Sequence, residues 1–140
     1  MSIDTICLID DDPIFVFGTK VILNNNSLFC SSILVFENGR EALESLTALL
    51  KSEKKIPEVI FLDLNMPIMD GWEFLDELCK IPDINLKTKV YILSSSISSR
   101  DIAKSHEYKI VKDFISKPLT EEKFSALLEE IKTQDSYDFL

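Results

Sequence analysis

The sequence predicts an α/β domain in which a five-stranded parallel sheet carries helices on both faces. Short apolar runs recur along the chain, and each is followed by turn residues and then by apolar residues at helical spacing. One of these runs, residues 59–62, is apolar throughout, as is typical of a strand that is buried on both faces. Strands that alternate with helices in this way imply a doubly wound parallel sheet.

The first strand and the first helix are joined by an acidic run, residues 10–12. Residues 5–9 form a buried-strand pattern that ends at this run. Pro13 suits the first position of a helix and Asp12 suits its N-cap, so the strand passes directly into a helix. Apolar residues cover much of that helix, and the asparagines at 24–26 end it.

The second strand, residues 33–36, precedes a long helix. Asn38 and Glu41 supply an N-cap and a glutamate three residues later, after which apolar residues recur at helical spacing. The charged run 51–55 is the predicted solvated end of this helix. Pro57 disfavours a helical conformation for the residue before it, and so separates this helix from the central strand.

The central strand, residues 59–62, delivers Asp63 to its carboxyl end. Pro67 cannot continue a central strand, because proline lacks the backbone donor and restricts the residue before it. Asp70 and Gly71 mark the next turn and open a helix, with Asp70 as its cap. An aspartate at the carboxyl end of a buried strand lies where ligands bind in open α/β sheets.

The remaining segments predict two more strands, which brings the predicted elements to five strands and five helices. A polar connection, residues 81–89, precedes the fourth strand at 90–93. A short helix follows from Ser98. The fifth strand is brief and contains residues 114–115, and Thr120 caps the last helix.

Length and composition limit the class of protein. A chain of 140 residues forms one domain with a core, expected over residues 1–133, followed by a short tail at 134–140 and no output domain. The net charge of −9 argues against a nucleic-acid or anionic-membrane partner, and no apolar run reaches the roughly 20 residues of a membrane span. The scattered cysteines fit buried free thiols in a reducing cytoplasm: Cys7, Cys30 and Cys79.

Polar residues collect where the predicted strands end. Right-handed crossovers place all the carboxyl ends at one edge of the sheet, so Asp10, Asp11 and Asp63 meet there with Ser94 and Lys117. Three crowded carboxylates repel one another unless a cation lies among them, and carboxylate oxygens suit Mg²⁺. A lysine ammonium and a serine hydroxyl beside that metal suit a phosphoryl group. A carboxylate can itself act as the nucleophile, and Asp63 is the natural choice.

Taken together, these segments resemble the response-regulator receiver domain of two-component signalling. The resemblance covers nearly the whole chain and rests on four motifs in order: Ile9-Asp10-Asp11-Asp12-Pro13, Leu62-Asp63-Leu64-Asn65-Met66-Pro67 with Met69-Asp70-Gly71, Leu93-Ser94, and Lys117-Pro118. It implies a flavodoxin-like sheet with strand order 2-1-3-4-5.

The resemblance also implies a reaction and its metal. Asp63 would accept phosphate from the phosphohistidine of a sensor histidine kinase or of a histidine phosphotransfer protein. Asp11, Asp63 and the backbone carbonyl of Asn65 would bind Mg²⁺, with Asp10 acting mainly through water. The domain would be a signalling switch that catalyses only its own phosphorylation and dephosphorylation, and not an enzyme.

Further roles follow from the same resemblance. Ser94 and Lys117 would contact the phosphoryl oxygens, and Phe114 corresponds to the family's switch aromatic. The bond between Lys117 and Pro118 would be cis, which aims the lysine into the pocket. The signal would then reach a downstream target by protein contact.

Other functions remain open at this point. A haloacid-dehalogenase-type phosphatase also uses an aspartate and Mg²⁺, but it typically has a second acid two residues later, where this chain has Asn65. A degenerate receiver would bind partners without phosphorylation, although the intact acids and lysine count against it. The sequence does not choose between a diffusible regulator and a phosphorelay carrier.

Overall fold

Five parallel strands form one sheet in the order β2-β1-β3-β4-β5. A computed structural model describes residues 3–25, 30–96 and 98–138, with the side chains of 30, 31 and 132–138 left undescribed. The strands are β1 (Ile3–Ile9), β2 (Cys30–Phe36), β3 (Val59–Asp63), β4 (Lys89–Ser94) and β5 (Val111–Ser116). The helices are α1 (Pro13–Asn25), α2 (Gly39–Lys51), α3 (Gly71–Leu78), α4 (Ile84–Lys87), α5 (Ser99–Ser105) and α6 (Glu121–Asp138). The predicted fold and strand order are confirmed.

The core lies on both faces of the sheet because the central strand is apolar on both sides. All five residues of β3 are buried between β1 and β4. Ile60 and Leu62 join the layer under α2 and α3, whereas Val59 and Phe61 join the layer under α1 and α6. Burying one such side chain fully stabilises the fold by about 1.5–3 kcal/mol. Asp63 is therefore carried by the most deeply packed strand.

Side-chain caps start the helices where the sequence predicts them. Asp12 accepts a hydrogen bond from the amide of the second residue of α1 at 3.0 Å. Asn38, Ser98 and Thr120 each accept one from the amide three residues on, at 3.0 to 3.1 Å. Asp70 completes a reciprocal capping box with Glu73. Each cap contributes about 1 kcal/mol and fixes the point at which a loop becomes a helix.

The structure corrects several details of the predicted elements. The connection predicted at 81–89 contains α4, a single turn anchored by buried Ile84, so the described residues form six helices where five were predicted. One turn is too short to give a periodic signal. The last helix runs to Asp138, beyond the predicted domain end at residue 133, because neither glycine nor proline interrupts it.

The cysteines differ from one another in exposure. Cys7 is buried in β1, and burial raises the pKa of its thiol. Cys79 is exposed because it follows the last turn of α3. This contradicts the expectation that the cysteines are buried. The side chain of Cys30 and residue Asn26 lie outside the described residues. Among the helices that are described, none has the length and apolar character that a membrane span requires.

An aromatic contact joins α3 to α5 and the segment after it. The rings of Trp72 and Tyr108 are stacked with centroids 5.9 Å apart, and the Lys104 ammonium lies 4.6 Å from the Trp72 ring. The Tyr108 hydroxyl donates to Asp76 at 2.6 Å. These contacts hold α5 against α3 at the margin of the core.

The register of the strands decides which side chains meet. Asp63 pairs with Leu93, and Ser94 pairs with Ser116, so β3, β4 and β5 end side by side. Leu62 pairs with Ile9, which places Asp10 at the same edge. Each of the five polar residues predicted to collect at the strand ends therefore lies at the end of a strand or directly after it, and the four strands concerned are adjacent in the sheet.

Candidate functional site

Three carboxylates form the centre of the site. Asp10, Asp11 and Asp63 each offer an oxygen, and these oxygens all lie within 4.8 Å of one another. Asp10 and Asp63 are buried, whereas Asp11 is exposed. The Asp10 carboxylate also accepts the Asp12 amide at 2.9 Å, which fixes its orientation. The predicted cluster is thus present, with one carboxylate open to solvent.

Lys117 enters this cluster from the end of β5. Its Nζ lies 2.8 Å from an Asp10 oxygen and 3.5 Å from an Asp63 oxygen, and its side chain is only 13% exposed. Its backbone amide donates to the Ser94 carbonyl at 2.8 Å, and its bond to Pro118 is cis. The ammonium is held closer to Asp10 than to Asp63, an arrangement that the sequence did not reveal.

The electrostatics of the cluster suit a divalent cation. Burial and then repulsion from Asp10 raise the pKa of Asp63 to about 6, although Lys117 and the backbone amide of Asn65 act in the opposite direction. One ammonium balances only one of three carboxylates. Hard carboxylate oxygens of this kind fit Mg²⁺, which shares its remaining positions with water and phosphate. Asp11, as the exposed member, is the carboxylate that an arriving ion can reach first.

Replacing Asp11 with asparagine is expected to weaken Mg²⁺ binding by at least about 10-fold, because a charged ligand is lost. In metal-free buffer the variant should unfold at the same temperature as the parent or at a higher one, since repulsion within the cluster is reduced. Mg²⁺ titration and thermal denaturation in EDTA measure the two effects. Asp12→Asn is the control, because asparagine caps α1 equally well. A large stability loss in EDTA for Asp11→Asn would make Asp11 a structural residue.

Ser94 and Phe114 lie on the same face of the sheet. The Ser94 hydroxyl is buried, donates to the Ser96 carbonyl at 2.9 Å and accepts from the Ser96 amide at 3.2 Å. Phe114 pairs with Ile92, two residues before Ser94, and packs half-buried against the core. In this structure the serine hydroxyl therefore bonds to its own loop.

Phe15 is a site residue that the sequence reasoning missed. The Lys117 ammonium lies 4.2 Å from the centre of the Phe15 ring. A cation–π contact of this kind contributes about 0.5–2 kcal/mol, depending on solvent access. Helical spacing marks Phe15 only as one of several apolar residues of α1. No signal in the sequence links it to Lys117, which is 102 positions away.

A groove and an exposed apolar stripe adjoin the acid cluster. The groove has a volume of about 480 Å³ and lies between α1 and the turn after β5, where Phe15 and Lys117 both line it. On the same helix, Ile14 is 82% exposed and Phe17 is 71% exposed, with Val21 continuing the stripe. These residues were expected to belong to a largely apolar helix, but they face outward.

Comparison with known proteins decides the family. The family model of the response regulator receiver domain matches residues 6–129. The chain belongs to this family. Receiver domains act in two-component signal transduction and phosphorelay as phosphoacceptors, generally bind Mg²⁺, and interact with kinases and downstream proteins. The three-carboxylate cluster of this receiver domain fits that general role.

The receiver domain is similar to characterised structures and sequences over most of its length. A two-component response regulator from Cytophaga hutchinsonii is 31% identical with a TM-score of 0.84, and the match covers 95% of this chain and 99% of that one. Chemotaxis protein CheY of Listeria monocytogenes is 33% identical over 118 residues, which are 79% of this chain and 96% of CheY. The phosphorylated cyanobacterial phytochrome response regulator RcpA is 26% identical with a TM-score of 0.74, covering 92% of this chain and 91% of that one.

Some relatives are longer than this receiver domain. The chain spans 32%, 45% and 41% of the length of three curated relatives from Bacillus subtilis, Vibrio cholerae and Escherichia coli. The similarity to these proteins therefore concerns their receiver portion.

Proposed function

We propose that this receiver domain accepts, on Asp63, the phosphoryl group of a phosphohistidine in a Mg²⁺-dependent reaction. The donor is a sensor histidine kinase or a histidine phosphotransfer protein. The observation that carries the proposal is the meeting of three carboxylates and Lys117 around the end of the central strand. The neighbour RcpA, described in its phosphorylated form, supports it.

The proposed reaction is an in-line transfer between two nucleophiles. An Asp63 oxygen forms a bond to phosphorus while the bond from phosphorus to the histidine nitrogen breaks, and the imidazole keeps the electron pair and takes a proton from solvent. Lys117 lies within reach of Asp63 and would balance charge on the phosphoryl oxygens. Mg²⁺, when bound, neutralises charge on the carboxylates and the phosphoryl group. Asp11, Asp63 and the Asn65 carbonyl would hold the ion, with Asp10 acting through water.

Incubation with acetyl phosphate tests the proposal and separates it from two alternatives. We expect Mg²⁺-dependent addition of one phosphoryl group, seen by intact-protein mass spectrometry. Continuous release of phosphate without labelling would favour a phosphatase of the haloacid-dehalogenase type. Binding of partners with no labelling under any Mg²⁺ concentration would favour a degenerate receiver. Either of those results contradicts the proposed phosphoacceptor role.

The proposed output is a change in protein contacts. On this view the domain is a switch and not an enzyme, because it catalyses only the gain and loss of phosphate on Asp63. It would act in the cytoplasm, where thiols such as exposed Cys79 stay reduced. Both a downstream target and a second phosphotransfer protein fit as recipients of the signal.

We propose that Ser94 couples the phosphoryl group to Phe114. Phosphorylation adds strong acceptor oxygens beside the strand ends, so the Ser94 hydroxyl can exchange its bond to the Ser96 carbonyl for one to a phosphoryl oxygen. The movement opens space on the face that Ser94 shares with Phe114, and the ring would rotate into it. The equilibrium shifts only by the difference in contacts between the two states.

Replacing Ser94 with alanine should leave Asp63 able to be phosphorylated but should remove most of the response of α5 and β5. The measurement is the set of backbone NMR shift changes over residues 98–118 when beryllofluoride is added. Ser95→Ala, an exposed neighbour, is the matched control and should respond like the parent. Equal shift changes in Ser94→Ala and in the parent would show that this coupling is wrong.

A further inference from the structure

The Lys123 side chain folds back from α6 onto the turn that carries Lys117. Its ammonium donates to the Ser116 carbonyl at 2.7 Å, to the Ser116 hydroxyl at 3.0 Å and to the Pro118 carbonyl at 3.1 Å. These three acceptors match the three N–H groups of an ammonium. The contacts link the residue before Lys117 to the residue after it, so one cation holds the backbone on both sides of the site lysine.

The position of Lys123 in α6 disfavours a lysine. It is the third residue of the helix, and its amide donates to the hydroxyl of the Thr120 cap at 3.1 Å. The N-terminal end of a helix carries partial positive charge, which opposes a cation there. After a threonine cap this position favours glutamate or glutamine, whose side chain reaches back to the amide of the cap. The contacts with the turn, and not the stability of the helix, therefore account for the lysine.

The turn is held between two elements whose backbones are fixed by the core. Leu119 and Phe124, on either side of the start of α6, are both buried in the layer under α1 and α6. The Lys117 amide donates to the Ser94 carbonyl at 2.8 Å, at the end of the buried strand β4. One hydrogen bond from β4 and one ammonium from α6 thus fix the backbone of the turn from two directions.

We propose that Lys123 is a positioning residue for phosphotransfer, because it fixes the backbone from which Lys117 reaches Asp63. The inference rests on the proposed function of Asp63. The Lys117 ammonium lies 2.8 Å from an Asp10 oxygen and 3.5 Å from an Asp63 oxygen, and a phosphoryl group on Asp63 would need this same ammonium beside its oxygens. A misplacement of about 1 Å can slow a reaction by about 100-fold, and a long side chain is placed only as exactly as its backbone.

The effect on the reaction passes through Lys117. Among the described residues, the hydrogen bonds of the Lys123 ammonium go to the turn and not to the carboxylates. Loss of the Lys123 ammonium leaves the Lys117 ammonium in the cluster but frees the carbonyls that flank it in the chain. The urea midpoint should change little, since the lost contacts are offset by removal of a cation from the helix N-terminus.

Labelling by acetyl phosphate in Mg²⁺ tests the inference with Lys123→Met. We expect the initial rate to be about 10-fold lower than in the parent, because the Lys117 ammonium is less precisely placed. Lys123→Arg should label within about threefold of the parent, since a guanidinium also donates several hydrogen bonds. Urea unfolding of each variant establishes that the assayed protein is folded.

Lys112→Met is the matched control. The Lys112 ammonium also donates to a backbone carbonyl, that of Lys109 at 3.3 Å, but it lies near the amino end of β5, at the opposite end of the strand from Lys117. Its loss removes the same charge and a contact of the same kind. The labelling rate of Lys112→Met should equal that of the parent.

A second pair of variants separates positioning from a general disturbance of the site. In the Lys117→Met background, Lys123→Met should change the remaining rate by less than about twofold, because no ammonium is left to position. Mg²⁺ in the assay stabilises both proteins of this background. A general disturbance would lower the rate by the same factor with and without the Lys117 ammonium.

Three results would overturn the inference. They are equal labelling rates for Lys123→Met and the parent, an equal fold reduction in both backgrounds, and a rate for Lys123→Arg no higher than that for Lys123→Met. A parent that acetyl phosphate does not label in Mg²⁺ would instead contradict the proposed function of Asp63.

Discussion

Replacing Asp63 with asparagine is expected to abolish phosphorylation of the domain by acetyl phosphate and by any kinase. The amide is a poor nucleophile, and the other two carboxylates of the cluster do not lie at the end of the central strand. Intact-protein mass spectrometry with and without Mg²⁺ measures the loss. Asp76→Asn, an exposed aspartate of α3 outside the cluster, is the control and should be labelled fully. Full labelling of Asp63→Asn would place the acceptor elsewhere.

The same substitution should stabilise the metal-free protein at neutral pH. The pKa of Asp63 is raised to about 6 in the folded state, so folding favours its protonated form. An unfolded aspartate titrates near pH ~3.9, so the parent loses stability as the pH rises from about 4 to about 6. Asparagine carries no charge at any pH. We expect Asp63→Asn and the parent to have equal free energies of unfolding near pH ~4. Above pH ~6 the variant should be more stable by on the order of 1–3 kcal/mol.

Urea unfolding in EDTA at several pH values measures this difference. Addition of Mg²⁺ should reverse the order of stability, because the parent binds the ion with one more carboxylate. An asparagine variant that is less stable than the parent at neutral pH without metal would mean that the Lys117 contact outweighs burial and repulsion at Asp63.

Replacing Lys117 with methionine is expected to be the most destabilising change in the site. The ammonium lies 2.8 Å from the buried carboxylate of Asp10, and removal of one partner of a buried ion pair costs about 3–5 kcal/mol. Without the ammonium the pKa of Asp63 should rise further, because Lys117 lowers it in the parent. Phosphorylation should fall by at least about 100-fold, since a charge that balances the phosphoryl oxygens is lost.

Mg²⁺ should restore much of the stability of Lys117→Met, because a divalent ion can balance the carboxylates in place of the ammonium. The control is Lys123→Met. Lys123 donates to the Ser116 carbonyl and hydroxyl and to the Pro118 carbonyl, so its loss disturbs the same turn without changing the charge of the cluster. The stability of Lys123→Met should depend on Mg²⁺ no more strongly than the stability of the parent does. Equal Mg²⁺ dependence of both variants would mean that the turn, and not the charge, is responsible.

The sequence predicted those features that depend on local chemistry or on strand order. Asp70 and Asn38 were identified as caps because a cap acts on amides within three residues. Asp10 and Asp63 were predicted to lie close together because the carboxyl ends of parallel strands meet at one edge of the sheet. Both inferences need only the order of short segments, and the exact packing does not enter them.

Features that depend on three-dimensional packing could not be predicted. The ring of Phe15 meets Lys117 only because α1 lies beside the turn after β5, and no spacing in the sequence records this. The positive φ of Ile68 contradicts its residue type, so local preference pointed to a different backbone. Cys79 was expected to be buried, but the end of a helix decides its exposure. In each case a tertiary contact overrides the local signal.

The stacked pair at the junction of α3 and α5 gives the protein an internal optical reporter. Trp72 is the only tryptophan in the chain, so its fluorescence can be excited selectively and needs no attached dye. The ammonium above its ring belongs to α5, whereas the indole belongs to α3. A displacement of α5 would change the distance between this ammonium and the indole, and indole emission is sensitive to nearby charge. Rapid mixing with beryllofluoride thus gives the rate at which this helix responds to the occupied acid cluster.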